Sequence, residues 1–437
     1  MTRKPHALIA ALLIFTAGLA VLPAEAQEKP DAAAPRLKLI FVERFRFEAW
    51  DNAEVLNDTA ADGRAYTRNR TTLGLSWKPL ENFEVLGKLT NEFRVYLAPK
   101  STAFSWNEVF FDNLYVKWTL PGRMPVTVTA GRQDINLGEG FVIADGTPGD
   151  GSRSYYFNAL RADAGLAKGH TLTAFIHATE ATDRYLPVID PVPRALAEQP
   201  ERGLALYYAG RFGQTKVDAY AVRKTTDANE AWPEPARIDT FGARLVASLA
   251  KPLSVTAEAA FQTGTAGDAG RSAYGAIAHF DYDLTGARSF LKSFVLGGIL
   301  LSGDDAATAR VEGWDPIFSR WPKWSEGYIY TLTRESRSAY WSNLSALYAQ
   351  LAFDLGERVD GHVMVMPMGA EHPQWAPGGF PGGTGHGRGT LYRGRLNYRL
   401  SRYFTGRVIW EHFVPGSFYF SGASSYNWLQ FEMIFRY

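Results

Sequence analysis

Arginines set two residues apart carry the most explicit chemistry in this chain. Arg44 and Arg46 form one such pair, and Arg68 and Arg70 a second. Arg94, Arg244, Arg393 and Arg395 lie in similar alternating surroundings. In an extended chain, side chains two apart share a face, so each pair aims two guanidinium groups to one side. Guanidinium is planar and always charged, and it grips a carboxylate through two parallel hydrogen bonds. The chemistry implied is anion binding rather than bond breaking. A ladder of such groups offers several weak sites, which let a polyanion enter without becoming stuck. The competing possibility is structural, with the arginines pairing to Glu48, Glu84, Glu92, Glu258 and Glu432 and bracing a wall.

A second constellation surrounds the glycine-rich loop at 138–152. Its carboxylates, Asp145 and Asp150, have Arg132, Arg153 and Arg161 as candidate partners. If the loop folds inward, these charges set a transverse field across a constriction. If it stays on a rim, they are ordinary turn residues. Farther along, Trp314, Phe318, Trp321 and Trp324 crowd one loop. They could stack on sugar rings, or pack on one another as a hydrophobic plug.

Enzymatic and metal chemistry is poorly supported. The later histidines, His170, His177, His279, His362, His372, His386 and His412, fall in no Gly-x-Ser-x-Gly or His-Glu-x-x-His setting. Asp304 and Asp305 lack the alternating aspartates of a calcium loop. No cofactor and no metal site is expected.

The elements that position these groups are strands. From 425 to 437 the odd positions Leu429, Phe431, Met433, Phe435 and Tyr437 make an apolar face, opposite Gln430, Glu432 and Arg436. Leu73, Leu75 and Trp77 likewise oppose Arg68 and Arg70, and Phe241, Leu245 and Leu249 oppose Arg244. Segments of about ten residues with one apolar face suit tilted strands crossing a bilayer. Connections alternate in length. Short turns at 79–81, 121–124, 168–169, 213–214, 251–252 and 356–357 separate long loops at 51–65, 138–152, 181–202, 226–237, 304–339 and 371–388. Only 266–270 is short where a long loop is due. The rhythm predicts an all-β fold: a transmembrane antiparallel β-barrel of about 18 strands, 16 being the alternative, with long extracellular loops and short periplasmic turns. Trp77, Trp118, Trp341 and Trp428 are expected in interfacial girdles.

Composition agrees with an exported barrel. Arg3 and Lys4 precede an apolar run that ends in Ala24-Glu25-Ala26, so residues 1–26 read as a signal peptide. Residues 27–36 read as a flexible leader and 37–437 as the barrel. Taking Arg3 and Lys4 from 46 basic residues and Glu25 from 45 acidic ones leaves 44 of each. Zero net charge excludes a nucleic-acid binder driven by bulk charge. The absence of cysteine excludes disulfide scaffolds and thiol catalysis.

Three stretches resemble a known family: Gly131-Arg132-Gln133 running into 140–161, the segment 312–330, and Tyr340-Trp341-Ser342-Asn343-Leu344. With the closing strand, they are similar to the alginate-export family of outer-membrane porins. The resemblance implies an 18-stranded barrel whose basic lumen passes anionic polyuronate. The loop at 145–153 is closer to a broad branch of that family than to the alginate exporter itself.

The expected function is passive passage of anionic solutes, an acidic polysaccharide such as alginate among them, across the outer membrane of a Gram-negative bacterium. Arg44, Arg46, Arg68, Arg70, Arg94, Arg132, Arg153, Arg161, Arg244, Arg393 and Arg395 would line the pore. Expected partners are outer-membrane lipid, small anions or anionic saccharide, and the assembly machinery that reads the C-terminal aromatic strand. A general small-solute porin, a barrel hydrolase and a sealed receptor scaffold are the alternatives.

Overall fold

Period-two patterning becomes a wall of strands in the computed structural model, which describes residues 36–60, 62–100, 108–145, 155–192, 195–287, 290–337, 339–373 and 382–437. The segments expected as signal peptide and, for nearly all of its length, as leader lie outside these residues. Eighteen strands form the wall: β1 (Leu37–Asp51), β2 (Arg64–Leu80), β3 (Phe83–Ala98), β4 (Val109–Leu120), β5 (Val126–Gln133), β6 (Phe157–Ala167), β7 (His170–Thr179), β8 (Glu201–Phe212) and β9 (Thr215–Thr226). The second half comprises β10 (Ala236–Ala250), β11 (Leu253–Ala266), β12 (Ala269–Asp283), β13 (Leu291–Leu301), β14 (Leu344–Asp354), β15 (Val359–Gly369), β16 (Gly387–Arg399), β17 (Phe404–Pro415) and β18 (Tyr426–Arg436). Each strand pairs antiparallel with its sequence neighbours. β1 closes the wall on β18, from Val42 opposite Arg436 to Asp51 opposite Asn427. No edge remains to be satisfied, which a bilayer requires of any β-structure crossing it.

The alternation of connections is present as read. Two-residue turns join β2 to β3, β6 to β7, β8 to β9 and β10 to β11 at one end. At the other end lie the loops 134–156, 180–200, 302–343 and 370–386, and the single exception is the turn Gly267-Asp268 between β11 and β12.

Outward positions are apolar. Leu39, Leu73, Trp77, Trp118, Leu206, Phe241, Phe261, Leu300, Leu347 and Trp410 all stand exposed on the outer surface. The hydrophobic core lies inside the barrel instead, where Trp50, Phe141, Trp314, Ile317, Phe318, Tyr328, Trp341, Met366 and Trp428 form one buried cluster. Two of the tryptophans expected in girdles therefore sit elsewhere. Trp428 has the inward parity of its strand and Trp341 belongs to an inserted loop, so both are buried, whereas Trp77 and Trp118 face outward.

Inward loops produce this core. Residues 302–343 enter the lumen and carry helix α1 (Tyr328–Glu335). Beside them the segment 135–145 turns inward, with Ile135 pairing Asp145 and Ile143 bridging Phe318. β13 is apolar on both faces for this reason, since Leu296 and Leu300 face outward while Val295, Ile299 and Leu301 are buried inside.

Candidate functional site

The lumen has two chemically distinct walls. The first spans β1–β3 and β16–β18, where alternating arginines become a cross-strand ladder because register sets Arg44 opposite Arg70 and Arg46 opposite Arg68. Like charges directly opposite are unfavourable unless something bridges them. Carboxylates do so here. Glu92 accepts from Arg44 at 2.9 Å and lies 3.2 Å from Arg68 and 3.5 Å from Arg70. Glu48 accepts from Arg68 at 2.8 Å and Glu432 from Arg46 at 2.6 Å. Arg70 also reaches Asp112 at 3.0 Å, and Arg407 reaches Glu432 at 3.0 Å. Arg94 lies over the Tyr66 ring at 5.0 Å. These groups are largely shielded from solvent, so each pair is held in a low-dielectric setting where an unpartnered charge would be costly.

Across the lumen, β8–β12 carry tyrosines and acids. Tyr207 donates to Asp218 at 2.8 Å and Tyr220 to Glu258 at 2.9 Å, with the two phenol rings stacked. Arg244 is one cation of this wall, donating to Asp218 at 3.0 Å. Its other partner is Glu139, from the inward segment.

The inserted loop is fastened to both walls by buried ion pairs. Arg320 reaches Glu201 at 2.7 Å, Lys224 reaches Asp315 at 3.3 Å, Arg393 reaches Glu326 at 2.5 Å, and Arg388 reaches Glu335 at 2.9 Å. Glu411 on β17 holds the approach to α1, because its carboxylate accepts from the backbone N–H groups of Glu326 and Gly327 at 3.0 and 2.9 Å. Tyr330 donates to Glu48 at 3.1 Å and stacks on Trp50, tying α1 to the arginine wall. Burial opposes ionisation of Asp315, yet Lys224 and Arg271 overcome this and hold its carboxyl well below the usual range.

Most of the arginines singled out in the sequence face the lumen: Arg44, Arg46, Arg68, Arg70, Arg94, Arg161, Arg244, Arg393 and Arg395. Arg161 pairs with Asp163 at 2.8 Å. Arg132 does not face the lumen. It sits opposite Leu114 and shares the outward parity of Val128, which faces the exposed Trp118. There it is fully buried beneath the 180–200 loop, donating to both oxygens of Asp183 at 2.9 and 2.7 Å. Its guanidinium also lies 3.6 Å from the Tyr156 ring. Arg132 thus pairs with Asp183 and Arg161 with Asp163, while the expected partnership with Asp145 falls on a side chain outside the described residues. Arg153 and Asp150 lie outside the described residues, and Asp145 is placed only by its backbone pairing.

Several groups escaped sequence reasoning. Arg407 shares the inward parity opposite Trp410 and was readable from alternation alone. Glu139, Arg320, Lys224, Glu326, Glu335, Arg388 and Glu411 act through the inserted loops, and strand periodicity carries no signal for that contact.

A cavity of 310 Å³ opens beside the arginine wall near the short turns, lined by Arg44, Asp360, Arg395, Asn397, Arg407 and Glu432. Arg395 donates to Asn397 at 2.8 Å there. Among the described residues His279 meets Asp281 at 2.6 Å and His170 meets Tyr208 at 2.7 Å, and no histidine hydrogen-bonds a serine hydroxyl.

A closed antiparallel wall, apolar outside and charged within, is the architecture of an outer-membrane β-barrel. Solved structures that it resembles include outer-membrane proteins of Pseudomonas aeruginosa. OpdK superposes with a TM-score of 0.59 at 10% identity, covering 92% of this chain and 98% of that one. OccK2 (OpdF), solved in complex with glucuronate, gives 0.56 at 13% identity, covering 92% and 97%. OprD gives 0.55 at 9% identity, covering 92% and 95%. At such identities the likeness is one of fold. No protein-family model and no curated protein matches the sequence. The resemblance to alginate exporters drawn from the three motifs is thus not supported, since the structural neighbours are OprD-type and Occ-type channels.

Proposed function

We propose that this protein is an outer-membrane porin that admits small anionic solutes, carboxylates in particular, along the arginine wall. The observation that carries the reading is the surplus of guanidinium groups on β1–β3 and β16–β18. Arg44, Arg46, Arg68, Arg70, Arg94, Arg393, Arg395 and Arg407 share one side of the lumen with Glu48, Glu92, Asp112, Glu411 and Glu432, and the inserted loop adds Glu326. Bridging carboxylates keep the ladder folded, and the cations in excess replace part of the hydration a carboxylate loses on entry. Arg395 and Arg407, at the cavity near the short turns, are the groups best placed to do so. The neighbouring porin bound to glucuronate carries a solute of this class.

The inserted loop favours small solutes over polymers. Passage of an extended polyuronate would require residues 302–343 to leave the lumen, breaking at least four buried ion pairs. Planar-bilayer recordings under a salt gradient test the reading. A reversal potential on the anion side is expected, with glucuronate reducing current more than glucose does. Cation selectivity, or a barrel that conducts nothing, refutes it.

A further inference from the structure

Outside the lumen, one patch departs from the apolar pattern of the outer surface. Arg202 on β8, Arg223 on β9 and Arg237 on β10 all face outward, near the long-loop end of their strands. Register brings them together, because Arg202 is opposite Thr225, Thr225 is opposite Arg237, and Arg223 is opposite both Leu204 and Asp239. Their side chains are 66%, 50% and 56% exposed. Immediately below runs an apolar row of Leu206, Ala221, Phe241 and Phe261, paired in that order across four strands. The arginines thus stand one step above the lipid-facing belt, at the level where headgroups begin. Among the described wall residues, no other outward position at this end carries an exposed arginine or lysine.

We propose that these three arginines seat the phosphate of a phosphorylated, acylated glycolipid in the outer leaflet. Charge favours the assignment. Arg223 and Arg237 share one carboxylate, Asp239, at 2.6 and 3.5 Å, so two guanidinium groups divide a single partner, while Arg202 pairs with Asp227 at 2.8 Å. Arg223 meets Asp239 through its Nε, so a second acceptor can be met by its terminal nitrogens. Phosphate offers several oxygens to converging guanidinium groups, and the apolar row beneath receives the acyl chains. Nearby Tyr185 is exposed and donates its hydroxyl to Glu180 at 3.1 Å.

The experiment uses protein refolded without lipid and then mixed with bisphosphorylated lipid A, its dephosphorylated form, phosphatidylglycerol or inorganic phosphate. Bound species are counted by native mass spectrometry. Wild type should retain the bisphosphorylated glycolipid, with the other three bound far less. The triple variant Arg202→Gln, Arg223→Gln, Arg237→Gln should bind it about tenfold more weakly, since each basic group near a membrane surface adds an increment of attraction to anionic lipid. Heat-modifiable mobility and single-channel conductance should match wild type, because all three side chains point away from the lumen. If the triple variant fails to fold, Arg223→Gln alone should still weaken binding severalfold. Undiminished binding by a folded variant overturns the proposal. So does equal retention of the dephosphorylated glycolipid, phosphatidylglycerol or inorganic phosphate.

Discussion

The two lumenal walls solve the same problem with opposite materials. On the arginine wall, cations are in excess and each carboxylate bridges several of them, as Glu92 does for Arg44, Arg68 and Arg70. On the facing wall, Asp218 and Glu258 are stabilised by phenol donors, with Arg244 also donating to Asp218. Bridging leaves surplus positive charge in place, whereas phenols satisfy a carboxylate without supplying any. An ion crossing between the walls meets cations in excess on one side and phenol-held carboxylates on the other.

This contrast can be broken from either side. The largest effect is expected for Glu92→Gln, which leaves three buried guanidinium groups short of their shared partner. Loss of about 3–5 kcal/mol is expected, read from the urea midpoint of the folded barrel. Arg388→Ala should come next, stranding Glu335 in the core and loosening α1. A destabilisation of about 3 kcal/mol is expected, together with larger and noisier single-channel currents. On the tyrosine wall, Tyr220→Phe removes one donor from Glu258, and a loss of about 1–2 kcal/mol should accompany unchanged ion selectivity. Arg395→Gln should hardly touch stability. Because a partly exposed charge contributes ~0.2–1 kcal/mol, its loss should lower the anion-to-cation permeability ratio by about twofold.

Acidification probes the loop that separates the walls. Asp315 has a depressed carboxyl pKa, so its contribution is fully present above the unfolded value and disappears only as pH falls through the folded one. The part of the conductance that depends on Asp315 should therefore hold steady from pH 7 to about 4, near the ordinary aspartate pKa, and change below it. Asp315→Asn should show the altered conductance already at pH 7.

Strand count, closure and facing were legible in the chain because a period of two assigns every side chain to one surface or the other. Arg44, Arg68 and Leu73 fall where that rule sends them. The same rule sends Arg132 outward, against its assignment to the pore, and a folded-over loop then buries the charge. It was silent on depth. Trp314 and Trp324 read more readily as a plug than as sugar platforms on a rim, and tertiary contact separates the two. The burial of Trp314 against Phe141 and the edge-on packing of Trp324 on Trp341 place them in the plug. Which carboxylates meet which arginines was also hidden, since Glu139, Glu326 and Glu335 come from segments without periodicity.

The loop fastened across the lumen has a mechanical consequence. A barrel wall is one strand thick, and an unfilled ring of strands is free to flatten. Residues 302–343 are tied to β1, β8, β9, β16 and β17, so they act as a cross-brace between opposite points of the ring. Bore and stiffness are then one property. Any change that widens the passage by releasing the brace also softens the wall, and a wide, rigid version of this channel would need a different means of holding its circle.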